Sequence, residues 1–259
     1  MTSDSLSRDD EPGAVAAMRR VTLCATVLLA GLSCHDTGPD AAAARRVLFI
    51  GNSLTASNDL PALVREIARA DGRELDYDQL LAPGVSLEDH WNAGAAEVIA
   101  DVGAEVVILQ QGPSSLPESQ EHLRTWAERF AVPIREAGGT PALLMVWPED
   151  SRREAFDAVS ESYRSAAAAV DGLFIPAGDA WRAAWERDPD LALYGGDGFH
   201  PSPLGSLMAA LTVYAVVFDA DVGALPASAA PGVPRETFDV LVAAVRQVVA
   251  PSVPAVRPR

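Results

Sequence analysis

The chain has 259 residues, 49% of them hydrophobic, and a formal net charge of −16 at pH 7. The apolar share excludes a disordered chain, the length suits one α/β domain with a full core, and the negative charge argues against a nucleic-acid partner. Every basic residue is an arginine, which excludes a phosphate-binding loop built on lysine.

The first 44 residues read as a leader and linker. Met18-Arg19-Arg20 precedes an apolar run from Val21 to Leu32, and small and polar residues follow to Ala44, the pattern of a secretory signal peptide. A helix over that run would reach ~18 Å, short of a ~30 Å hydrocarbon core, so the segment predicts export and cleavage and not a lasting span. Leu29-Ala30-Gly31-Leu32-Ser33-Cys34 resembles a bacterial lipoprotein signal, although Gly31 stands where leucine is usual. That resemblance implies a lipidated Cys34 and a periplasmic or cell-envelope protein held at the membrane. The alternative is ordinary cleavage near Ala41 to Ala44. Residues 1–17 are acidic and precede the basic segment, which points to Met18 as the start; were they made, they would mask export and leave the protein in the cytoplasm. Cys24 and Cys34 are the only cysteines, so the remaining chain has no disulfide framework and no cysteine metal site.

From residue 45 to 250 short apolar runs alternate with amphipathic segments, as in a parallel-sheet α/β domain. Val47–Ile50 predicts the first strand and Asp59–Ala70 a helix, with Pro61 in its first turn and Leu60, Leu63 and Ile67 on one face. A second strand is expected over 74–81, then Ala82-Pro83-Gly84 and a helix over 87–100. Glu105–Leu109 is the clearest strand, without polar alternation, as suits one covered on both faces. A helix over 118–137, a fourth strand over 142–146, a helix to Val170 and a fifth strand over 173–176 follow. Trp181 and Trp185 have helical spacing, and further helices are expected over 202–217 and 236–249. The proline-rich residues 251–259 predict a frayed tail.

In an open parallel sheet the ligand crevice lies beyond the carboxyl ends of the strands. Ser53 follows strand one, Gly84 strand two, Gln110 and Gln111 strand three, and Asp197-Gly198-Phe199-His200 strand five. A hydroxyl at a strand tip, with a histidine and a carboxylate three residues apart, supplies a nucleophile, a general base and its orienter.

These residues carry a family resemblance. Gly51-Asn52-Ser53-Leu54 resembles the Gly-Asp-Ser-Leu block of SGNH (GDSL-type) hydrolases, and Asp197-x-x-His200 resembles their C-terminal block, over about residues 45–219. The resemblance implies a flavodoxin-like three-layer α/β/α fold with a parallel five-stranded sheet. It implies a Ser53, Asp197, His200 triad acting on acyl esters, with an oxyanion hole made by the Ser53 and Gly84 amides. The family's Gly-x-Asn-Asp block is absent. Gln110-Gln111-Gly112 stands there and resembles the Gln-Gly-Glu form of carbohydrate-acetylesterase branches, which places Gln111, or Gln110, where the asparagine amide usually points; the alternative is that both glutamines only satisfy backbone groups of their loop. The expected substrate is a short-chain ester, such as an O-acetyl group on a carbohydrate, with no cofactor, metal or protein partner.

Other readings stay open on the residues. His90, beside Trp91, is the one other histidine the topology brings near the pocket; His35 falls in the linker and His122 on a charged helix face. Asp197 and His200 lack further ligands at metal-binding spacing. Trp147, Trp181 and Trp185 offer either a sugar-stacking face or core filling, and the helical spacing of the last two favours core. A surface binding module without turnover, and an acyltransferase, are the functional alternatives.

Overall fold

The computed structural model describes residues 43–249. The leader, Met18, Cys34 and the 251–259 tail lie outside the described residues.

Five strands, β1 (Arg45–Gly51), β2 (Leu75–Leu81), β3 (Val106–Leu109), β4 (Thr140–Leu144) and β5 (Leu173–Ile175), form one parallel sheet in the order β2-β1-β3-β4-β5. All four β3 residues and the last five of β1 are buried, because helices cover both faces. β2 has hydrogen-bonded neighbours on one side only, and its mixed exposure is that of an edge strand. The strand expected over 142–146 lies two residues earlier at its start.

The helices are α1 (Ser53–Ala56), α2 (Leu60–Ala70), α3 (Leu87–Asn92), α4 (Ala95–Val102), α5 (Pro117–Glu136), α6 (Phe156–Ala169), α7 (Ala177–Trp185), α8 (Pro203–Val217) and α9 (Arg235–Val248). α2, α7 and α9 pack on α8, while α4, α5 and α6 pack in sequence; with the sheet between them this is a three-layer α/β/α domain. The helix expected over 87–100 is two. Gly94, at φ 93°, takes a left-handed turn between α3 and α4 that a residue with a Cβ adopts only with strain. α8 is buried nearly all round. Ser202 caps it by accepting from the Gly205 N–H at 3.0 Å, and Pro203 opens its first turn. Among the described residues no helix is long and apolar enough to cross a membrane.

The chain runs from β1 outward to β2 and returns on the other side of β1 to β3. The loops after β1 and β3 therefore diverge, and a crevice opens between them at the carboxyl edge of the sheet. Ser53 follows the first of these strands and Gln110 and Gln111 the second.

Candidate active site

β1 delivers Gly51 and Asn52 to that edge. Asn52 caps α1, its Oδ1 accepting from the Leu54 N–H at 3.1 Å, so Ser53 is the first residue of the helix. Gly51 has no room for a side chain, since a Cβ would lie 2.5 Å from Gln110 Oε1. That contact reflects a buried pairing of the two loops. Gln110 Oε1 accepts from the Asn52 N–H at 2.9 Å and from the Thr55 hydroxyl at 2.8 Å. Its Nε2 donates to Asn52 Oδ1 at 3.0 Å and to the Gln111 carbonyl. Asn52 Nδ2 donates in turn to the Val85 carbonyl at 3.2 Å, which holds the loop beside Gly84 against the Ser53 turn. A carboxylate at 52 has no hydrogen to offer Val85; the amide that departs from the family's aspartate is used as a donor.

Ser53 Oγ lies 2.9 Å from His200 Nε2, and His200 Nδ1 lies 2.6 Å from Asp197 Oδ2. A carboxylate only accepts, so Nδ1 carries the proton, and the Nε2 of the neutral ring accepts from the serine hydroxyl. Asp197 Oδ1 accepts from the Phe199 and His200 N–H groups at 3.0 and 2.9 Å. The hydrogen bond from the His200 ring, followed by those two backbone bonds, lowers the Asp197 pKa from 3.8 to about 2.

The loop holding this pair is tied down at many points. Gly198 takes the left-handed φ of 68° that turns it, and the His200 carbonyl accepts from Gly195 N–H at 2.7 Å. Trp147 Nε1 donates to the Phe199 carbonyl at 2.9 Å, and the Tyr194 hydroxyl donates to Pro148 O at 2.7 Å. Trp147 stacks on Trp181 at 3.7 Å, and Tyr194 meets the Trp181 edge at 5.0 Å. Trp147 and Trp181 are fully buried, so they are core that supports the histidine loop and not a sugar-stacking face.

The Ser53 and Gly84 N–H groups donate to no protein acceptor among the described residues. Gly84 takes φ 69°, and added side-chain atoms there would meet open space, so glycine answers the backbone conformation and not crowding. The two glutamines stand differently from the expectation. Gln110 is wholly buried and both ends of its amide are occupied, which removes it as an oxyanion donor. Gln111 Oε1 accepts from the Leu87 N–H at 3.4 Å, and its Nε2 donates one hydrogen to Ser114 Oγ at 3.0 Å. Only its second amide hydrogen is without a protein acceptor among the described residues. The Gln111 backbone is fixed by Tyr163, whose hydroxyl lies 3.2 Å from Gln111 N and 2.7 Å from Gln111 O. Burial pushes the Tyr163 phenol well above its usual range, so it stays neutral. His90 is buried, with Nε2 committed to the Gly51 carbonyl at 2.8 Å, a structural contact. His122 pairs with Glu88 at 3.0 Å.

Sequence reasoning leaves open whether either glutamine serves the backbone groups of its loop, as Gln110 does, and passes over Tyr163, Ser114 and Asn58 altogether. The one local signal was a pair of amides directly after a wholly apolar strand. Replacing Gln110 by alanine is expected to leave the Asn52 N–H and Thr55 hydroxyl buried without acceptors, at about 1–3 kcal/mol each. Urea unfolding of the variant measures that loss.

No protein-family model and no curated protein matches this sequence. Solved structures do. A candidate SGNH hydrolase from Slackia heliotrinireducens aligns with TM-score 0.57 at 24% identity, covering 67% of this chain and 98% of the other. A DUF4886 family protein from Bacteroides uniformis aligns with TM-score 0.67 at 18% identity, over 78% and 93%. A catalytic histidine-to-alanine mutant of an acetylxylan esterase from Geobacillus stearothermophilus aligns with TM-score 0.52 at 15% identity, over 67% and 94%. The fold is that of SGNH/GDSL-type hydrolases.

Proposed function

We propose that this protein is a serine esterase that hydrolyses short-chain acyl esters through Ser53, His200 and Asp197. The observation that carries the reading is the continuous hydrogen-bonded line from Ser53 Oγ through the His200 ring to Asp197, drawn from two loops 147 residues apart. His200 Nε2 takes the hydroxyl proton as Oγ attacks the ester carbonyl, and Asp197 holds the ring tautomer and steadies the imidazolium. The Ser53 and Gly84 N–H groups, which have no acceptor among the described residues, receive the oxyanion, and the remaining Gln111 amide hydrogen is the candidate third donor. Collapse of the intermediate breaks the ester C–O bond, and the alcohol leaves with the proton from His200. Water, deprotonated by the same nitrogen, then attacks the acyl-enzyme and releases the acid and Ser53. Labelling by a fluorophosphonate, which requires an activated serine, tests this chemistry directly. Lack of labelling together with lack of turnover would favour a binding module instead, and transfer of the acyl group to an added sugar in place of water would identify an acyltransferase.

The alcohol side is proposed to be a small polar one, such as a saccharide carrying an O-acetyl group. A cavity of about 190 Å³ lies between the loop after β3 and the histidine loop, with Ser115, Glu149 and Arg152 among its polar lining and Leu116 and Phe199 among its apolar lining. The Phe199 ring centre is 5.4 Å from that of His200, which sets the cavity beside the triad. A lining that mixes polar groups with apolar side chains suits a sugar ring, with apolar faces and hydroxylated edges. The acetylxylan esterase among the structural neighbours is consistent with such a substrate. Arg152→Ala is expected to raise KM for an acetylated monosaccharide about tenfold, the loss of one charged hydrogen bond, with a much smaller effect on an aryl acetate. Initial rates on the two substrates make the comparison. Export is proposed on the Met18 to Cys34 pattern alone.

A further inference from the structure

Ser53 and His200 come from opposite ends of the domain, and the distance between them must be held by something other than the weak contact they make with each other. α1, which carries Ser53, is a single turn and has little rigidity of its own. Directly after it the backbone makes two successive left-handed residues, Asn58 (φ 54°) and Asp59 (φ 52°). A side chain with a Cβ enters that region at a cost that asparagine and aspartate bear best, and such strain persists where surrounding contacts over-determine it.

Those contacts reach the base. Asn58 Nδ2 donates to the Pro201 carbonyl at 3.1 Å and to Ser206 Oγ at 2.9 Å. Pro201 directly follows His200, and its carbonyl only accepts, which fixes the orientation of the amide. Ser206 is wholly buried in α8, and its hydroxyl donates to the Ser57 carbonyl at 3.3 Å, while Ser57 Oγ donates to the Ser53 carbonyl at 2.7 Å. A closed set of hydrogen bonds therefore runs from the nucleophile, through Ser57 and Asn58, to the residue after the base. An asparagine serving only its own turn would accept from a neighbouring N–H through Oδ1. Among the described residues Asn58 makes no such bond, and both of its donors go to partners 143 and 148 residues away.

We propose that Asn58 is a positioning residue, which sets the separation of Ser53 from His200 by clamping the turn after the nucleophile to the backbone after the base. The role rests on the esterase reading above, and the test separates the two. Asn58→Gly keeps the left-handed turn and deletes the clamp; Asn58→Asp keeps the shape and loses the donors. Active sites are titrated with a fluorophosphonate, and turnover of a short acyl ester is expressed per titrated serine. Asn58→Gly is expected to lower kcat per titrated site by ~10- to 100-fold, as for other small misplacements of reacting groups. KM should stay within about twofold, because the clamp does not touch substrate. Asn58→Asp should lose at least as much. A role in stability alone would reduce the number of titrated sites and the melting temperature but leave turnover per site at the wild-type value, and that result overturns the proposal. Should Asn58→Gly fail to fold, Asn58→Asp carries the same comparison; failure of both to fold would assign Asn58 to stability and also overturn it. Wild-type protein that neither turns over nor labels would sink the esterase reading instead.

Discussion

Replacing Ser53 by alanine is expected to lower kcat toward short acyl esters by about 10⁴- to 10⁶-fold and to abolish fluorophosphonate labelling, leaving what oxyanion donors and binding contribute without a nucleophile. The fold should be untouched. Ser53 is only partly buried, its Oγ contacts His200 alone among the described side chains, and the helix start is capped by Asn52 and not by Ser53. The His200 ring is 38% exposed, so water replaces the lost hydroxyl at little cost. Thermal unfolding and labelling, measured together, separate lost chemistry from lost structure. Activity of Ser53→Ala near that of the wild type would remove the nucleophile from the proposal.

Asp197→Asn is expected to lower kcat by about 10⁴-fold for a reason set by the contacts of this loop. Oδ1 accepts two backbone N–H bonds, and only an oxygen can do so; the asparagine amide must then turn its NH₂ toward His200 Nδ1. Nδ1 becomes an acceptor, the ring proton moves to Nε2, and the atom facing Ser53 can no longer take a proton. The same contacts give a pH signature. Because the folded-state pKa of Asp197 is lowered from 3.8 to about 2, the stabilisation it supplies is fully present above the unfolded value and is lost as pH falls through the folded one. Any wild-type loss of activity between about pH 4 and pH 7 must therefore arise from another group, since Asp197 is an anion throughout. The stability gap between wild type and Asp197→Asn, followed by urea midpoints, should narrow as pH approaches about 2. A gap that stayed constant from neutral pH to that limit would contradict the hydrogen-bond assignment.

Much of the architecture was legible because local chemistry and tertiary role coincide. The run Val106 to Leu109 carries no polar alternation because its strand is covered on both faces. Pro61 and Ser202 mark helix starts through backbone rules that need no partner. The split at Gly94 was less visible: the apolar spacing continues across it, and one glycine within a helical pattern is tolerated as often as it breaks one. The Ser53 and Asp197-to-His200 segments were legible as motifs because their order and their places after strands are themselves patterned.

The glutamines mark where that legibility ended. Both follow the same strand and offer the same amide, so residue type alone assigns neither. Gln110 has its amide spent on Asn52 and Thr55, while one Gln111 amide hydrogen has no acceptor among the described residues. That difference comes from side-chain direction at a crevice formed by β1 and β3. Asn58 is a stronger case, since its partners lie more than 140 residues away and an asparagine before an aspartate reads locally as an ordinary turn.

What the sequence determined by itself was the strand and helix order, the parallel sheet, and the residue types able to act as nucleophile, base and orienter, because these follow from periodicity and from functional-group chemistry along short stretches. What only the tertiary structure decided was the pairing of Ser53 with His200, the diversion of Gln110 into the scaffold and the clamp at Asn58. Each depends on hydrogen-bond directions across loops that meet only when the sheet brings its strand ends together.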